Sequence, residues 1–131
     1  MLFRSDIKKV ERGVIYFAGA LNGKSGLSQR VRPEDGKKFS MKEIQLVVGG
    51  YFECLVPAEC GWTVYCDEEG GLKPHYKPNG HTWTFAKREV YALNGYGANW
   101  RVMGNVLAMR KEFEGGAELP TVTQALKGVA V

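Results

Sequence analysis

The chain has 131 residues, of which 44% are hydrophobic and 24% charged, and this composition is typical of a single globular domain. No apolar run approaches the roughly 18 residues of a membrane span. The N-terminus is charged and lacks the apolar core of a secretory signal, so we expect a cytoplasmic protein with no membrane partner. The net charge of +4 hides a segregation, because residues 43–72 contain six acidic side chains and no Lys or Arg. Such separated charge allows a basic patch to meet phosphate, or an acidic patch to meet a basic partner.

The first elements in the chain are predicted to be two strands joined by turn-forming residues. An apolar stretch bounded by glycines predicts a strand at residues 13–19, and a second strand is predicted at 27–32. Alternation in the second strand places Arg30 and Arg32 on one face. The sequence Pro-Glu-Asp-Gly at 33–36 then predicts a turn, in which Pro fixes φ and Gly supplies the left-handed position.

A short helix at residues 41–48 is the clearest element of the sequence. Ser40 is a candidate N-cap, and Glu43, three residues later, completes a capping box. The glycines at 49–50 predict the end of the helix, because a left-handed residue commonly terminates one. Apolar residues on one helical face indicate that it packs on a sheet.

The remaining elements complete an α+β fold. Three more strands are predicted, at residues 51–56, 62–66 and 100–109. A second helix is predicted near 84–93, where a strand-like alternation competes with it. Residues 114–131 are predicted as an extension that either forms a short helix at 121–126 or stays loosely attached. The expected fold is a small, mostly antiparallel sheet of about five strands with one short capped helix and a second helix, in a single domain.

Cysteine and histidine are the residue types best able to carry chemistry here. Both occur at intervals of six residues, as Cys54, Cys60 and Cys66 and as His75 and His81. Zinc ligands normally form pairs two to four residues apart, so no metal site is predicted. A nucleophile built from Cys60 and a histidine is the enzyme hypothesis, although nothing in the spacing requires it. No nucleotide-binding or hydrolase motif is present, and we expect no catalytic residue, metal or cofactor.

Nucleic-acid binding is an alternative function that a basic cluster supports. Arg30, Arg32, Lys37 and Lys38 surround one turn, and aromatic residues are numerous enough for base stacking. Against this alternative, the aromatic residues occupy apolar-face positions, where they commonly pack in a core. No predicted helix carries the Arg, Asn and Gln of a recognition helix.

Binding of a protein partner, or self-association, requires the fewest special features. Tyr51, Tyr65 and Tyr76 are candidate interface residues, because tyrosines contribute strongly to binding energy where proteins meet. Packing of the same tyrosines without any partner is the competing interpretation.

The block Val-Gly-Gly-Tyr-Phe-Glu at residues 48–53 resembles part of a family of small proteins found chiefly in bacteriophages, plasmids and other mobile elements. The predicted helix at 41–48 and this block together match the family's pattern, which is Phe-x-x-x-x-Ile/Leu-Gln-x-x-Val-Gly-Gly-Tyr-x-Glu. An acidic turn at the end of a strand, a Pro-Asn step and a glycine-centred strand follow in matching order, at residues 62–70, 78–79 and 102–107. The resemblance covers roughly residues 13–108, and the family is described only as a domain of unknown function.

The resemblance implies a mobile-element setting and supplies no catalytic residues. Glu53, Glu68 and Asn79 are the positions that best match any shared polar site. Together with Tyr51 and Tyr65, they are the predicted binding residues. We therefore expect a non-enzymatic accessory protein of a phage or mobile element that acts in the host cytoplasm through a protein partner, such as a host factor.

Overall fold

The computed structural model describes residues 9–18, 20–21, 24–25, 27–55, 61–73, 75–80, 82, 102–113 and 115–128. The strands within these ranges are Lys9–Tyr16 (β1), Ala20–Leu21 (β2), Lys24–Ser25 (β3), Ser28–Val31 (β4), Phe52–Cys54 (β5), Thr63–Asp67 (β6) and Val106–Phe113 (β7). The helices there are Met41–Val48 (α1) and Val122–Gly128 (α2), and Gly70–Leu72 forms a 3₁₀ turn.

Five of these strands form one antiparallel sheet in the order β4-β1-β7-β6-β5. Its centre is the pair β1 and β7, which run together from the pairing of Lys9 with Phe113 to that of Tyr16 with Val106. β2 and β3 pair separately. The predicted α+β class, with a five-stranded antiparallel sheet and two helices, is therefore confirmed.

Several element boundaries differ from the prediction. β1 begins at Lys9 rather than Gly13, because its ladder continues along β7. The last strand begins at Val106 rather than at 100, because Gly104 has a φ of 91° and its N–H donates to the Lys77 carbonyl instead of a strand partner. The helix predicted near 84–93 lies outside the described residues.

The other helix among the described residues, α2, lies in the C-terminal extension. Thr121 and Gln124 cap it reciprocally: the Thr121 N–H donates to Gln124 Oε1 at 2.9 Å, and the Gln124 N–H donates to Thr121 Oγ1 at 3.3 Å. This T-x-x-Q arrangement is a capping box. Val122 and Ala125 are buried in the main core, so the extension packs on the sheet rather than remaining loosely attached.

The core has two parts, one on each face of the sheet. α1 and α2 cover one face, where the buried apolar cluster comprises Ile15, Phe17, Val31, Phe39, Ile44, Val47, Val48, Leu107, Met109, Val122 and Ala125. The opposite face carries a smaller cluster of Leu55, Val64, Cys66, Val102, Val106 and Ala108. Trp62 packs with Val64 and Cys66, as the alternation in that strand predicts.

The N-terminus of α1 is fixed by the predicted capping box. Ser40 Oγ accepts from the Glu43 N–H at 3.1 Å, and Glu43 Oε1 accepts from the Ser40 N–H at 3.0 Å. Glu43 Oε2 also accepts from the Glu34 N–H at 3.1 Å, so one buried carboxylate joins the helix to the preceding turn.

Two arginines, the buried Arg12 and the partly buried Arg32, attach the C-terminal segment to the sheet. Arg12 Nε donates to the Gly115 carbonyl at 2.7 Å, and Arg32 Nε donates to the Leu119 carbonyl at 2.8 Å. The Arg32 N–H also donates to the Pro120 carbonyl at 3.0 Å. These bonds hold the segment between β7 and α2 against the sheet.

The two capping boxes predict a measurable stability difference. Replacing Ser40 or Thr121 with Ala leaves a helix N–H without its cap, and we expect each change to lower the free energy of unfolding by about 1 kcal/mol. Urea denaturation followed by circular dichroism measures this change. The control is Ser28→Ala at the exposed start of β4, for which about 0.5 kcal/mol or less is expected. A cap variant as stable as the control would contradict the prediction.

Candidate binding site beside helix α1

A buried carboxylate at the end of β6 organises the surroundings of α1. The side chain of Asp67 is 1% exposed, and its Oδ2 accepts from Lys73 Nζ at 2.6 Å and lies 2.7 Å from the Tyr76 hydroxyl. Its Oδ1 accepts from the Glu69 N–H at 2.8 Å. Both carboxylate oxygens are therefore occupied by groups from the segment that follows the strand.

Asp67, Lys73 and Tyr76, which we call the Asp67 cluster, also lie at the C-terminal end of α1. The Tyr76 hydroxyl lies 3.1 Å from the Val48 carbonyl, and Lys73 Nζ lies 3.5 Å from the Gly49 carbonyl. The last turn of α1 contains no basic residue. Because the C-terminus of a helix carries partial negative charge, Lys73 supplies the stabilising cation from 24 residues away.

Two glycines make room for the Tyr76 ring. Gly49 has a φ of 92° and Gly104 a φ of 91°, a conformation that side chains disfavour. A Cβ at Gly49 would also collide with the Tyr76 hydroxyl, and one at Gly104 would lie 2.8 Å from the ring. The tyrosine therefore fits against backbone on both sides.

Hydrogen bonding fixes the charge states of this cluster. Burial alone would raise the pKa of Asp67, but hydrogen bonds from Lys73, Tyr76 and the Glu69 N–H outweigh it and lower the pKa. The hydrogen bond to Asp67 raises the pKa of Lys73, and burial followed by the Asp67 hydrogen bond raises the pKa of Tyr76. A carboxylate, an ammonium and a neutral phenol therefore coexist at neutral pH, and their bonds are directed to one another.

Two adjoining surface depressions flank the cluster. The larger has a volume of about 580 Å³ and is lined by Lys42, Gln45, Leu46, Gly49, Gly50, Tyr51, Glu69 and Lys73. The smaller has a volume of about 310 Å³ and includes His75, Tyr76, Lys77 and Asn105. They meet at Leu46 and Gly49, which line both.

Large apolar side chains stand exposed around the larger depression. Tyr51 is 73% exposed, Leu46 is 49% exposed, and Leu72, in the turn between Glu69 and Lys73, is 81% exposed. The Glu68 N–H donates to the Tyr51 carbonyl at 2.9 Å, which brings the acidic turn beside the tyrosine. We call the surface formed by Leu46, Tyr51, Glu68, Glu69 and Leu72 the α1 patch.

The three candidate tyrosines have different environments. Tyr51 lies in the α1 patch, whereas Tyr76 is anchored beneath it. Tyr65 is half-buried against the main core and packs edge-on against Phe52, with ring centroids 5.1 Å apart. Burial raises the pKa of Tyr65, with the neighbouring Cys54 as the next cause. Of the three, Tyr51 is the one whose ring is largely available to a partner.

The predicted polar positions are also divided. Glu53 and Glu68 are exposed, but Asn79 is 0% exposed. Asn79 Nδ2 donates to the carbonyls of Tyr16 at 2.9 Å and Gly104 at 3.0 Å. The structure therefore gives Asn79 an internal role, in which it ties the loop after β6 to the sheet.

The four basic residues of the nucleic-acid alternative differ in the groups that they bond to. Arg30 pairs with Glu112 at 3.1 Å, and Arg32 directs its Nε to a main-chain carbonyl. Lys37 and Lys38 are exposed on the turn, where their N–H groups donate to Asp35 Oδ1 at 2.7 and 2.9 Å. Two of the four predicted side chains are thus engaged within the protein.

The cysteines differ in exposure. Cys66 is buried, and burial together with the charges of Glu53 and Asp67 raises the pKa of its thiol to about 12. Cys54 is exposed, while Cys60 and His81 lie outside the described residues. No group of three or more potential metal ligands occurs among the residues that the structure describes.

No protein-family model matches the chain, and no curated protein or solved structure matches it either. The resemblance to proteins of mobile elements stays a prediction. Within the described ranges, no helix has the length and apolar character that a membrane crossing requires.

The lowered pKa of Asp67 predicts a pH dependence of stability. A depressed folded-state pKa means that the carboxylate stabilises the fold above its unfolded pKa of about 3.9, and that this stabilisation is lost as the pH falls through the folded pKa. We expect Asp67→Asn to lower the free energy of unfolding at pH 7 and to flatten its decline below about pH 4. Urea denaturation across pH measures both effects. Glu68→Gln is the exposed control, and an unchanged profile in Asp67→Asn would contradict the prediction.

The close contact of Tyr76 with Gly49 predicts that alanine at Gly49 lowers the free energy of unfolding more than alanine at Gly36 does. Gly36 and Gly49 both have positive φ, but a Cβ at Gly36 would meet nothing within 4 Å. Gly36→Ala should cost about 1 kcal/mol of strain, and Gly49→Ala should cost about 1–3 kcal/mol more because of the collision.

Removing the hydroxyl should relieve part of that collision. We therefore expect the double variant Gly49→Ala/Tyr76→Phe to be more stable than the sum of its single changes indicates. Urea denaturation of the wild type, Gly49→Ala, Tyr76→Phe and the double variant gives the four free energies of unfolding that this comparison needs. Additive effects, or equal costs at Gly36 and Gly49, would contradict the packing described here.

Proposed function

We propose that this chain is a non-enzymatic binding protein that engages a protein partner through the α1 patch. The observation that carries the proposal is the exposure of Leu46 and Tyr51, which line one open depression. Leu72 is exposed as well and directly precedes Lys73, which also lines the depression. Exposed apolar side chains grouped beside a concavity are typical of interaction sites. A tyrosine at such a position offers a rigid ring with large contact area.

The shape of the site favours a macromolecule over a small ligand. A volume of about 580 Å³ lies within the usual range of ligand pockets. However, Tyr51 and Leu72 are 73% and 81% exposed, so their side chains extend into solvent. A small molecule in the depression would leave much of this apolar surface in water, whereas a protein segment laid across it would cover both side chains.

The elements beneath the α1 patch hold it in one arrangement. Ser40 and Glu43 cap one end of α1, and Lys73 and Tyr76 of the Asp67 cluster approach carbonyls at the other. A preorganised surface loses less conformational entropy when a partner binds. The side chains of Asp67, Lys73 and Tyr76 bond to one another, an arrangement that supports a binding role better than proton transfer.

The resemblance to mobile-element proteins supports the setting of the proposal. In that setting the partner is a protein of the host cell, and binding takes place in the host cytoplasm. The exposed Glu53 and Glu68 belong to or adjoin the acidic turn, and Tyr51 belongs to the glycine-tyrosine block on which the resemblance depends.

The test is a comparison of variants on a partner captured from host lysate with and without nuclease. We expect Tyr51→Ala and Leu72→Ser each to weaken the affinity of the purified pair by about tenfold or more, because truncating a hot-spot residue costs about 2 kcal/mol or more and each 1.4 kcal/mol is about tenfold. Leu27→Ser is the matched control, since Leu27 is 51% exposed and lies outside the α1 patch. Isothermal titration calorimetry measures the affinities.

Two results would contradict the proposed function. One is a captured partner whose affinity is the same for the wild-type chain and for Tyr51→Ala/Leu72→Ser. The other is capture that nuclease abolishes and Lys37→Glu/Lys38→Glu prevents, which would favour the nucleic-acid alternative.

A further inference from the structure

The charges of the α1 patch define the chemistry of what it binds. We infer that the partner presents a basic segment, in which Lys or Arg residues accompany a large apolar side chain. This inference rests on the proposed function and adds the sign of the partner's charge. The apolar side chain occupies the depression beside Tyr51, and the cations face the acidic turn.

The exposed side chains of the acidic turn supply the first argument. Glu68 and Glu69 are both exposed, and Glu69 lines the depression together with Tyr51. Residues 43–72 contain no Lys or Arg that could neutralise these carboxylates from within the segment. A cationic partner would gain favourable interactions here, and an anionic one would be repelled.

The end of α1 supplies the second argument. Gly49 lies at the helix C-terminus, where partial negative charge accumulates, and it lines both depressions. The cation closest to this end is Lys73, whose Nζ is 2.6 Å from Asp67 Oδ2. Lys73 therefore offsets both the Asp67 carboxylate and the partial charge of the helix end. Within the described residues no ion pair involves Glu69, so Glu69 is the group of the depression that favours an additional positive charge.

Lys42 sets the orientation of the partner along the depression. It lies in the first turn of α1 and lines the larger depression at the end opposite Gly49. Seven residues of helix separate the two, which is roughly 10 Å along the axis. Within the described residues, no ion pair involves Lys42. The cations of the partner should therefore lie at the Glu69 end, away from Lys42.

The opposite signs of Lys42 and Glu69 make the inference testable within one depression. The probe is a library of random 15-residue peptides displayed on phage and selected on the purified chain, with binders to Tyr51→Ala/Leu72→Ser removed. We expect the recovered peptides to be enriched in Lys or Arg together with a large apolar residue. The best of them is then synthesised, and its affinity for charge variants is measured by fluorescence anisotropy.

The charge variants should shift affinity in opposite directions. We expect Glu69→Lys to weaken peptide binding by about two- to fivefold and Lys42→Glu to strengthen it by a similar factor, the usual range for exposed charges. Both effects should shrink in 0.5 M salt, because screening shortens the range of exposed charges. Lys111→Glu is the matched control, since Lys111 is an exposed lysine of β7 that does not line the depression. It should change affinity less than Lys42→Glu.

The outcomes separate this inference from the proposed function. If no peptide depends on Tyr51 and Leu72, the proposed function fails and the inference fails with it. If dependent peptides are recovered but are acidic or show no charge bias, the inference alone is overturned. Weaker binding to Lys42→Glu, or equal effects of Lys42→Glu and Lys111→Glu, overturns it too. A free chain that sediments as a dimer, with dissociation in Glu69→Lys, would replace a separate partner with a second copy.

Discussion

The structure around α1 depends on one carboxylate oxygen. Asp67 Oδ2 holds Lys73 and Tyr76 at once, and those two side chains reach the carbonyls at the end of α1. The sheet, the segment after β6 and the helix are therefore linked through a single buried charge. A buried carboxylate needs such partners, because leaving its charge unpaired would cost several kcal/mol. The position of the acidic turn, and hence the edge of the α1 patch, follows from this requirement.

Helix ends show which parts of the fold the sequence reveals. The capping box of Ser40 and Glu43 is local, so its residues and spacing can be read directly, and α1 was predicted with the bounds it has. Thr121 and Gln124 have the same spacing as Ser40 and Glu43, and this T-x-x-Q capping box indicates the start of α2. At the C-terminal end of α1, the glycines predict where the helix stops, but no local pattern predicts which side chains approach its last carbonyls. Those side chains are 24 and 28 residues away, and their spacing follows no periodic pattern.

Charge segregation along the sequence is partly preserved in the fold. Glu43 and Asp67 are buried and bonded inside the protein, which removes two acids from the acidic segment's surface. Glu53, Glu68 and Glu69 remain exposed. Composition could predict that segment 43–72 is acidic, but it could not assign which carboxylates stabilise the helix and which face solvent. That division depends on hydrogen-bond donors from distant loops, as it does for Arg32 and Asn79, whose polar atoms bond to carbonyls far along the chain.

The glycine pair after α1 has a role beyond ending the helix. Gly49 adopts the left-handed conformation that terminates α1, and its missing side chain admits the Tyr76 hydroxyl. A Cβ at Gly50 would lie 2.9 Å from Lys73 Nζ, so the second glycine admits the other arm of the Asp67 cluster. Tyr51 follows directly and is left exposed, because the space beneath the helix end is already filled. The Val-Gly-Gly-Tyr order therefore places an acceptor carbonyl, two glycines in close contact with other side chains and an exposed ring in succession. The end of the helix thereby also forms the centre of the proposed binding surface.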